Sequence, residues 1–273
     1  MYAHESLSFL KKGHKKPFET SLGAGHRETE LLALSRETSK TEGPRVARIF
    51  VNRLKEAQVY HFHDTSEEAQ IRNSQDVDRN LGLLSQGGNL AAFLYSLQQT
   101  RPAHYRVILS AFQSIVPYVQ ELVLRPDVLD PTRILLRWRD RNLNHELGGH
   151  QLSDGSIRAL ALVTALLQPE ETMPGILLLD EPELGLHPSG IALIASLIKS
   201  VSTKRQVIVA TQSPRFLAEF RPEQVVVVER REDAHGFGES TFTRLDPHEL
   251  KGWLEDYDLG ALYEMQVTGG SPR

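Results

Sequence analysis

Two adjacent carboxylates follow a short apolar run in the second half of the chain. Residues 176–179 read Ile-Leu-Leu-Leu, and Asp180 and Glu181 come directly after them. Such a run is typical of a parallel strand covered on both faces, and ligands bind beyond the carboxyl ends of such strands. Asp180 could hold Mg²⁺ through water, and Glu181 could orient or deprotonate an attacking water. The dipeptide alone could be an ordinary strand end, but the whole string 177–188 indicates a site.

A second segment, residues 152–158, could bind an anion. Ser153 can cap a helix, because apolar residues follow it at helical spacing as far as Leu167. The start of a helix attracts anions, and Gly155 lets the backbone approach a phosphate closely. A routine helix cap is the other interpretation, but Ser153 lies 27 residues before Asp180, which leaves room for one helix, a turn and a strand. The nucleotide-binding candidates are Ser153, Asp154, Gly155 and Ser156.

The third segment, residues 211–214, reads Thr-Gln-Ser-Pro and follows a predicted apolar strand at residues 206–210. Polar side chains at the end of that strand would face the same crevice as Asp180 and Glu181. This makes Gln212 a catalytic candidate. The alternative is a strand-to-helix turn whose residues are chosen for capping.

These segments need a sheet to position them. From residue 150 onward, predicted strands alternate with predicted helices, and Pro188 suits the first turn of one helix. Such alternation implies right-handed crossovers and a mainly parallel sheet. We also predict a strand at 241–245 and a closing helix at 248–257.

The first half of the chain is predicted to be a lid or helical subdomain. Residues 1–45 are polar with loop signals, and helices are expected at 90–98 and 105–116. Residues 133–139 alternate between apolar and mainly basic positions, which predicts a half-buried strand. Its arginine face is either solvated or in contact with nucleic acid.

His61 and His63 fall on one side of a predicted strand, and Asp64 follows them. Two imidazoles and a carboxylate are a possible metal-ligand set. The rest of such a site is not visible in the sequence. A structural role or a contact with the lid is the other interpretation.

The composition is that of a folded soluble protein, with 40% hydrophobic and 24% charged residues. The net charge of −4 argues against a uniformly basic nucleic-acid binder. The absence of cysteine excludes disulfides and thiolate metal sites. We find no apolar run long enough to span a bilayer and no apolar core of a secretory signal, so we expect a cytoplasmic protein.

The three segments, in this order and spacing, resemble the signature, Walker B and switch motifs of ABC-type ATPases. More narrowly, the chain resembles the RecF/SMC/OLD-like predicted ATPases over roughly residues 20–273. The resemblance implies an α/β, P-loop NTPase fold like an ABC ATPase head, with a mainly parallel sheet core and a helical lid subdomain. Other parts of the chain that carry it are residues 60–66, 87–91, 259–260 and 269–270.

The resemblance also assigns roles to the candidate residues. Asp180 becomes the Walker B acid on the Mg²⁺ side, and Glu181 the catalytic base. Gln212 stands at the switch, where ABC transporters carry His. Ser153 and Gly155 contact the γ-phosphate of ATP held by a partner head, and ATP is hydrolysed to ADP and phosphate at a head-to-head dimer interface. The resemblance implies that the segment from Glu183 to His187 is the D-loop, which crosses the dimer interface.

One motif of the family is not found. A P-loop needs G-x-x-x-x-G-K-[ST], and the sequence contains no Gly-Lys dipeptide. We therefore expect a family member without the N-terminal part of its core, with residues 1–150 forming a partial N-terminal region and lid and 151–273 forming half of the ATPase core. The P-loop would come from missing sequence or from a partner: a homodimer mate, a second ATPase head or another chain. DNA is a partner by family analogy only, and no membrane is expected. The alternative function is a non-enzymatic, degenerate head that binds another ATPase.

Overall fold

The computed structural model divides the chain into two compact units. The smaller is Met1–Gln58 with Pro174–Ile176, and the larger is Val59–Met173 with Leu177–Arg273. All the candidate site residues lie in the larger unit. No helix among the described residues is long and apolar enough to cross a membrane. The structure describes residues 5–10, 13–25, 27–39, 41–143, 145–232 and 238–270.

The helices are mostly short, and three of them bear on the site. Two of these begin beside candidate residues, as the sequence predicts, and a one-turn helix follows the switch segment. The described helices are α1 (Leu31–Arg36), α2 (Glu42–Lys55), α3 (Leu90–Thr100), α4 (Pro102–Ile115), α5 (Asp154–Leu167), α6 (Pro188–Val201), α7 (Pro214–Leu217) and α8 (Leu259–Glu264).

The strands belong to five small sheets within the described part of the chain. They are β1 (Glu5–Phe9), β2 (Phe18–Gly23), β3 (Ala57–Tyr60), β4 (Gln75–Asp76), β5 (Val119–Val123), β6 (Arg133–Ile134), β7 (Arg137–Asp140), β8 (Glu146–Gly148), β9 (Ile176–Asp180), β10 (Gln206–Ala210), β11 (Val226–Glu232) and β12 (Gly238–Arg244).

The sheet that positions the site is parallel and has the order β10-β9-β3. Helix α6 connects β9 to β10, so strand and helix alternate as predicted. The other four sheets are antiparallel: β1-β2, β4-β6, β5-β7-β8 and β11-β12. The predicted α/β fold with a parallel core sheet is confirmed.

Helix α5 runs through the core of the larger unit. Its residues Ile157, Leu160 and Val163 are fully buried, and so are the alanines between them. A helix that is apolar on all sides is buried on all sides. The start of this helix is therefore held in place by the packing of the whole core.

The strand predicted at 133–139 is divided in two. Residues 133–134 pair with β4, whereas 137–140 pair with β5 and β8. Between the two strands, the Leu136 carbonyl accepts the N–H of Gly149 at 2.8 Å. The basic face is not free: its arginines bind the Ser74 carbonyl, Asp127, Glu121 and Glu146.

The prediction of a helix at 248–257 was wrong. Those residues form consecutive turns, in which Trp253 and Leu254 both donate to the carbonyl of Leu250. Gly252 in the middle weakens a continuous helix. The helix begins later, at Leu259, with Asp258 accepting the N–H of Ala261 as its cap.

The N-terminal region is more ordered than its loop signals suggest. It holds an antiparallel hairpin, β1-β2, in which Leu7 pairs with Thr20 and is buried. The same region holds α1, and α2 begins at Glu42. With one buried residue in β1 and none in β2, the alternation is too weak for the sequence to predict the hairpin.

Candidate functional site

The two carboxylates predicted at the end of β9 lie at its carboxyl end. Asp180 is the last residue of the strand and its side chain is 50% exposed. Glu181 follows in a left-handed backbone conformation, with φ of 41°, which is uncommon for a residue other than glycine. Its N–H donates to the Ala210 carbonyl at 2.9 Å. The turn after β9 is therefore attached to the end of β10.

A second contact joins the same two turns through side chains. The hydroxyl of Thr211 donates to one carboxylate oxygen of Glu183 and accepts the N–H of Ser213 at 3.0 Å. Glu183 is only 9% exposed, and its other oxygen is buried without a hydrogen-bond partner among the described residues. Burial raises the pKa of Glu183, and Glu181 and Asp180 add to the effect, while the Thr211 hydrogen bond opposes it.

Two candidate catalytic side chains have no hydrogen-bond partner within the described chain. The carboxylate of Glu181 is half-buried, and the amide of Gln212 is exposed. Gln212 follows Thr211, and Ser213 accepts the Phe216 N–H to cap α7. Both side chains remain available to a ligand at the end of the sheet.

The predicted cap at the start of α5 is confirmed. Ser153 Oγ accepts the N–H of Ser156 at 3.2 Å. The Ser156 hydroxyl is buried and lies 2.8 Å from Ser153 Oγ and 2.7 Å from the Tyr118 hydroxyl, so it faces inward. Within the described residues, the N–H groups of Asp154 and Gly155 have no acceptor. These two amides are the donors that the helix start offers to an anion.

Gly155 packs directly against the turn that follows the carboxylates. A Cβ atom on Gly155 would lie 2.1 Å from the Gly185 carbonyl oxygen, so any side chain there would force the backbone to shift. Gly185 itself has a φ of 76°, which favours glycine. The pair brings the predicted signature segment against the predicted D-loop of the same chain.

Asp154 is turned toward a buried arginine that the sequence analysis did not single out. Arg72, which is 7% exposed, donates to Asp154 Oδ1 at 2.7 Å and to the carbonyls of Gly149 and Leu152 at 2.7 and 3.0 Å. Hydrogen bonds from Arg72, then from Thr65, hold the pKa of Asp154 below its usual range.

His63, a candidate for either a metal ligand or a structural contact, lies beside Asp180. Its Nε2 lies 3.1 Å from the Asp180 carbonyl oxygen and 3.9 Å from Asp180 Oδ2. Arg158 of α5 donates to the carbonyls of Phe62 and His63 at 3.0 and 2.7 Å. His61 is elsewhere, with its Nε2 3.1 Å from the Gln86 amide. No group of three such ligands suited to a metal occurs among the described residues.

The remaining D-loop residue has a capping role in the structure. His187 caps α6, and its Nδ1 lies 3.4 Å from the Ser189 N–H and 3.0 Å from the Ser189 hydroxyl. Pro188 occupies the first turn, as predicted. The structure thus joins Asp180, Glu181, Glu183 and the switch turn directly, and reaches Ser153 only through Gly155 and Arg158.

The carboxylates at the end of β9 suit Mg²⁺ by their chemistry. Asp180 offers hard oxygen ligands on a half-exposed side chain, with Glu181 next to it. Mg²⁺ favours one or two carboxylates and keeps several waters. The residues present therefore fit this ion.

The fold is that of an α/β domain of the P-loop NTPase class, and the family match identifies it as an AAA-type ATPase domain. Residues 27–218 match the family described as "AAA domain, putative AbiEii toxin, Type IV TA system". The match covers more than half of the chain, so the chain belongs to this family. Membership implies nucleotide binding. A sequence search among curated proteins found no match.

Solved structures similar to this chain include heads of SMC ATPases. One comes from a study of ATP-driven dimerisation and DNA-stimulated activation of SMC ATPases (17% identity, TM-score 0.41, covering 60% of this chain and 96% of that one). A second is the Smc head of Pyrococcus furiosus with an extended coiled coil, bound to the C-terminal domain of ScpA (19% identity, TM-score 0.42, covering 60% of this chain and 39% of that one). A third is an Smc head bound to the C-winged helix domain of ScpA (15% identity, TM-score 0.49, covering 77% of this chain and 63% of that one). At TM-scores below 0.5 these resemblances are too distant to transfer a function.

Proposed function

We propose that this chain is the ATP-hydrolysing head of an ABC-type ATPase that acts in a head-to-head dimer. The observation that carries the proposal is the joining of the two turns: Glu181 N–H to the Ala210 carbonyl, and the Thr211 hydroxyl to Glu183. A free, half-buried carboxylate and a free amide, Gln212, are thereby held at the same end of the sheet. This is the arrangement expected for activating a water beside a nucleotide.

Each residue has a role that follows from its position. Asp180 would hold Mg²⁺, which when bound neutralises charge on the ATP phosphates. Glu181 orients a water and takes its proton as the water oxygen bonds to the γ-phosphorus and the bond to the ADP oxygen breaks. Gln212 can hydrogen-bond the water or a phosphate but carries no charge. Glu183 positions the switch through Thr211.

The start of α5 is proposed to act on the partner head. Its free donors, the amides of Asp154 and Gly155, suit a phosphate, and Ser153 lies exposed beside them. This surface is attached to its own D-loop through Gly155 and Gly185 rather than to its own Glu181. We infer that it receives the γ-phosphate of ATP held by a second head.

A P-loop has a place to join this sheet. Among the described residues β10 has only β9 as a neighbour, and Ile208 in its middle is 47% exposed despite the apolar sequence. A P-loop follows a strand, and such a strand could extend the sheet at this edge. We propose that it comes from a partner chain or from sequence outside these 273 residues.

The test supplies a segment or chain that carries the P-loop and measures ATPase rate with Glu181→Gln. This change removes the base but keeps its size, so we expect the rate to fall about 10²- to 10⁴-fold while ATP binding persists. Dimers with trapped nucleotide should accumulate, as seen by light scattering. Glu170→Gln, on the surface and paired with Lys204, is the matched control and should hydrolyse at the unmodified rate.

A second variant separates the two surfaces. Ser153→Arg places a bulky cation at the start of α5, so it should block dimerisation while ATP binding to the same head persists. An unmodified ATPase rate for Glu181→Gln, or normal dimerisation of Ser153→Arg, would contradict these roles. A complex without any hydrolysis would favour the non-enzymatic alternative, in which the chain binds another ATPase.

A further inference from the structure

Arg72 occupies a position that none of the recognised motifs includes. Its guanidinium is buried and uses four acceptors: the Thr65 carbonyl at 2.6 Å, those of Gly149 and Leu152, and Asp154 Oδ1. Two of these carbonyls lie just before the start of α5, and Asp154 is its first residue. One side chain therefore fixes both the backbone leading into this helix and its first carboxylate.

The Asp154 carboxylate lies where its negative charge would oppose the binding of an anion to the start of α5. It is the first residue of a helix whose amides, at Asp154 and Gly155, would bind a phosphate. An unpaired carboxylate there would compete for those amides and repel an incoming anion. In the structure the carboxylate is instead drawn to Arg72, so it does not oppose a ligand.

We propose that Arg72 is a positioning residue that keeps the Asp154 carboxylate away from the phosphate-binding start of α5 and fixes that start through the Gly149 and Leu152 carbonyls. The inference rests on the proposed function, since it deepens the role given there to this surface. It gives the Asp154 side chain the role of partner to Arg72, whereas the Asp154 amide remains a proposed donor to the phosphate.

Charge at a helix terminus sets the direction and size of the expected effects. Without Arg72 the carboxylate is freed, and anion affinity should fall about 3- to 30-fold. Without the carboxylate, Arg72 keeps its carbonyl bonds and an unpaired positive charge, so anion affinity should rise a few-fold. Removal of both should recover much of the loss.

The experiment follows the amide resonances of Asp154 and Gly155 by NMR while inorganic phosphate is added to the full chain. The variants are Arg72→Met, Asp154→Asn and the double variant. We expect phosphate to bind more weakly to Arg72→Met and more tightly to Asp154→Asn. We expect the double variant to recover much of the affinity that Arg72→Met loses. Arg101→Met, at an exposed arginine paired with Glu171, controls for net charge and should leave the response as it is.

Recovery in the double variant is the readout that separates positioning from mere stability. If Arg72 only stabilised the fold, the second change would not restore phosphate binding, and the proposal would be wrong. It would equally be wrong if the unmodified chain showed no phosphate response at these two amides. Should Arg72→Met not fold, Arg72→Lys with and without Asp154→Asn repeats the test, because one ammonium cannot reach all four acceptors.

The result is independent of catalysis. If Glu181→Gln hydrolyses ATP at the unmodified rate but Asp154→Asn still restores phosphate binding to the Arg72 variant, the proposed ATPase roles fail and this inference stands. If Glu181→Gln loses hydrolysis as expected but Asp154→Asn does not restore phosphate binding to the Arg72 variant, the ATPase roles stand. The positioning role of Arg72 is then refuted.

Discussion

At the scale of single residues, Glu183 is a carboxylate whose surroundings disfavour its charged form. One of its oxygens accepts a hydrogen bond from Thr211, and the other is buried without a partner in the described structure. Removal of a carboxylate from water disfavours its charged form, which is why its pKa is raised. The residue holds the switch turn at a cost that depends on pH.

The sign of that dependence follows from linkage. A carboxyl with a raised pKa binds its proton more tightly in the folded state, so its contribution to stability is complete below the unfolded pKa and is lost as the pH rises through the folded pKa. We expect Glu183→Gln, which cannot ionise, to gain in free energy of unfolding relative to the unmodified chain as the pH rises from about 4.5. Urea unfolding at a series of pH values measures the difference.

Glu170 provides the control of opposite sign. The hydrogen bond from Lys204 lowers the pKa of Glu170. The free energy of unfolding of the unmodified chain should therefore increase relative to that of Glu170→Gln as the pH rises. A difference between Glu183→Gln and the unmodified chain that does not vary with pH would show that Glu183 is not desolvated in solution.

At the scale of elements, the start of α5 and the turn after β9 are in contact through two glycines. Alanine at Gly155 would place its Cβ 2.1 Å from the Gly185 carbonyl oxygen, and neither backbone can move without disturbing a buried helix or the site. We expect Gly155→Ala to destabilise the fold by about 1–3 kcal/mol, as overpacking does. Chemical unfolding followed by circular dichroism measures this loss.

Gly82→Ala is the matched substitution. A Cβ there meets nothing within 4 Å, so we expect a change within about 0.5 kcal/mol. Equal effects of the two alanines would mean that the contact between Gly155 and Gly185 is looser in solution than in the structure.

The sequence predicts the local elements of the site well, and for a physical reason. Caps and strand ends are encoded by neighbouring residues, so the Ser153 cap, the β9 strand and Pro188 at the start of α6 are all confirmed. The roles of Asp180, Glu181 and Gln212 in chemistry stay predictions.

Contacts between distant residues were not predicted. Arg72 lies 82 residues from Asp154, and His63 lies 117 residues from Asp180. No periodicity or motif encodes such pairs, because they arise only when the sheet and α5 pack together. His63 had one usable signal, its place in the segment 60–66 that carries part of the family resemblance.

At the scale of the whole molecule, the chain carries the residues proposed to act on a nucleotide but no G-x-x-x-x-G-K-[ST] sequence. In P-loop ATPases the backbone amides and the lysine of that loop make many of the contacts that bind the phosphates. We therefore expect the isolated chain to bind Mg-ATP weakly, with no tight site in a calorimetric titration. A dissociation constant in the micromolar range would contradict this and would point to a phosphate loop of a different sequence.

The exposed edge of β10 has a further consequence for how the chain behaves alone. An edge strand such as β10, which pairs only with β9 among the described residues and carries the exposed apolar side chain of Ile208, is a template for another copy of itself. Concentrated samples should therefore aggregate into intermolecular β-structure, detectable by thioflavin fluorescence, and Ile208→Lys should slow that aggregation. If a partner strand normally covers this edge, the two polypeptides would need to be synthesised together, and the soluble yield of this chain should rise when they are.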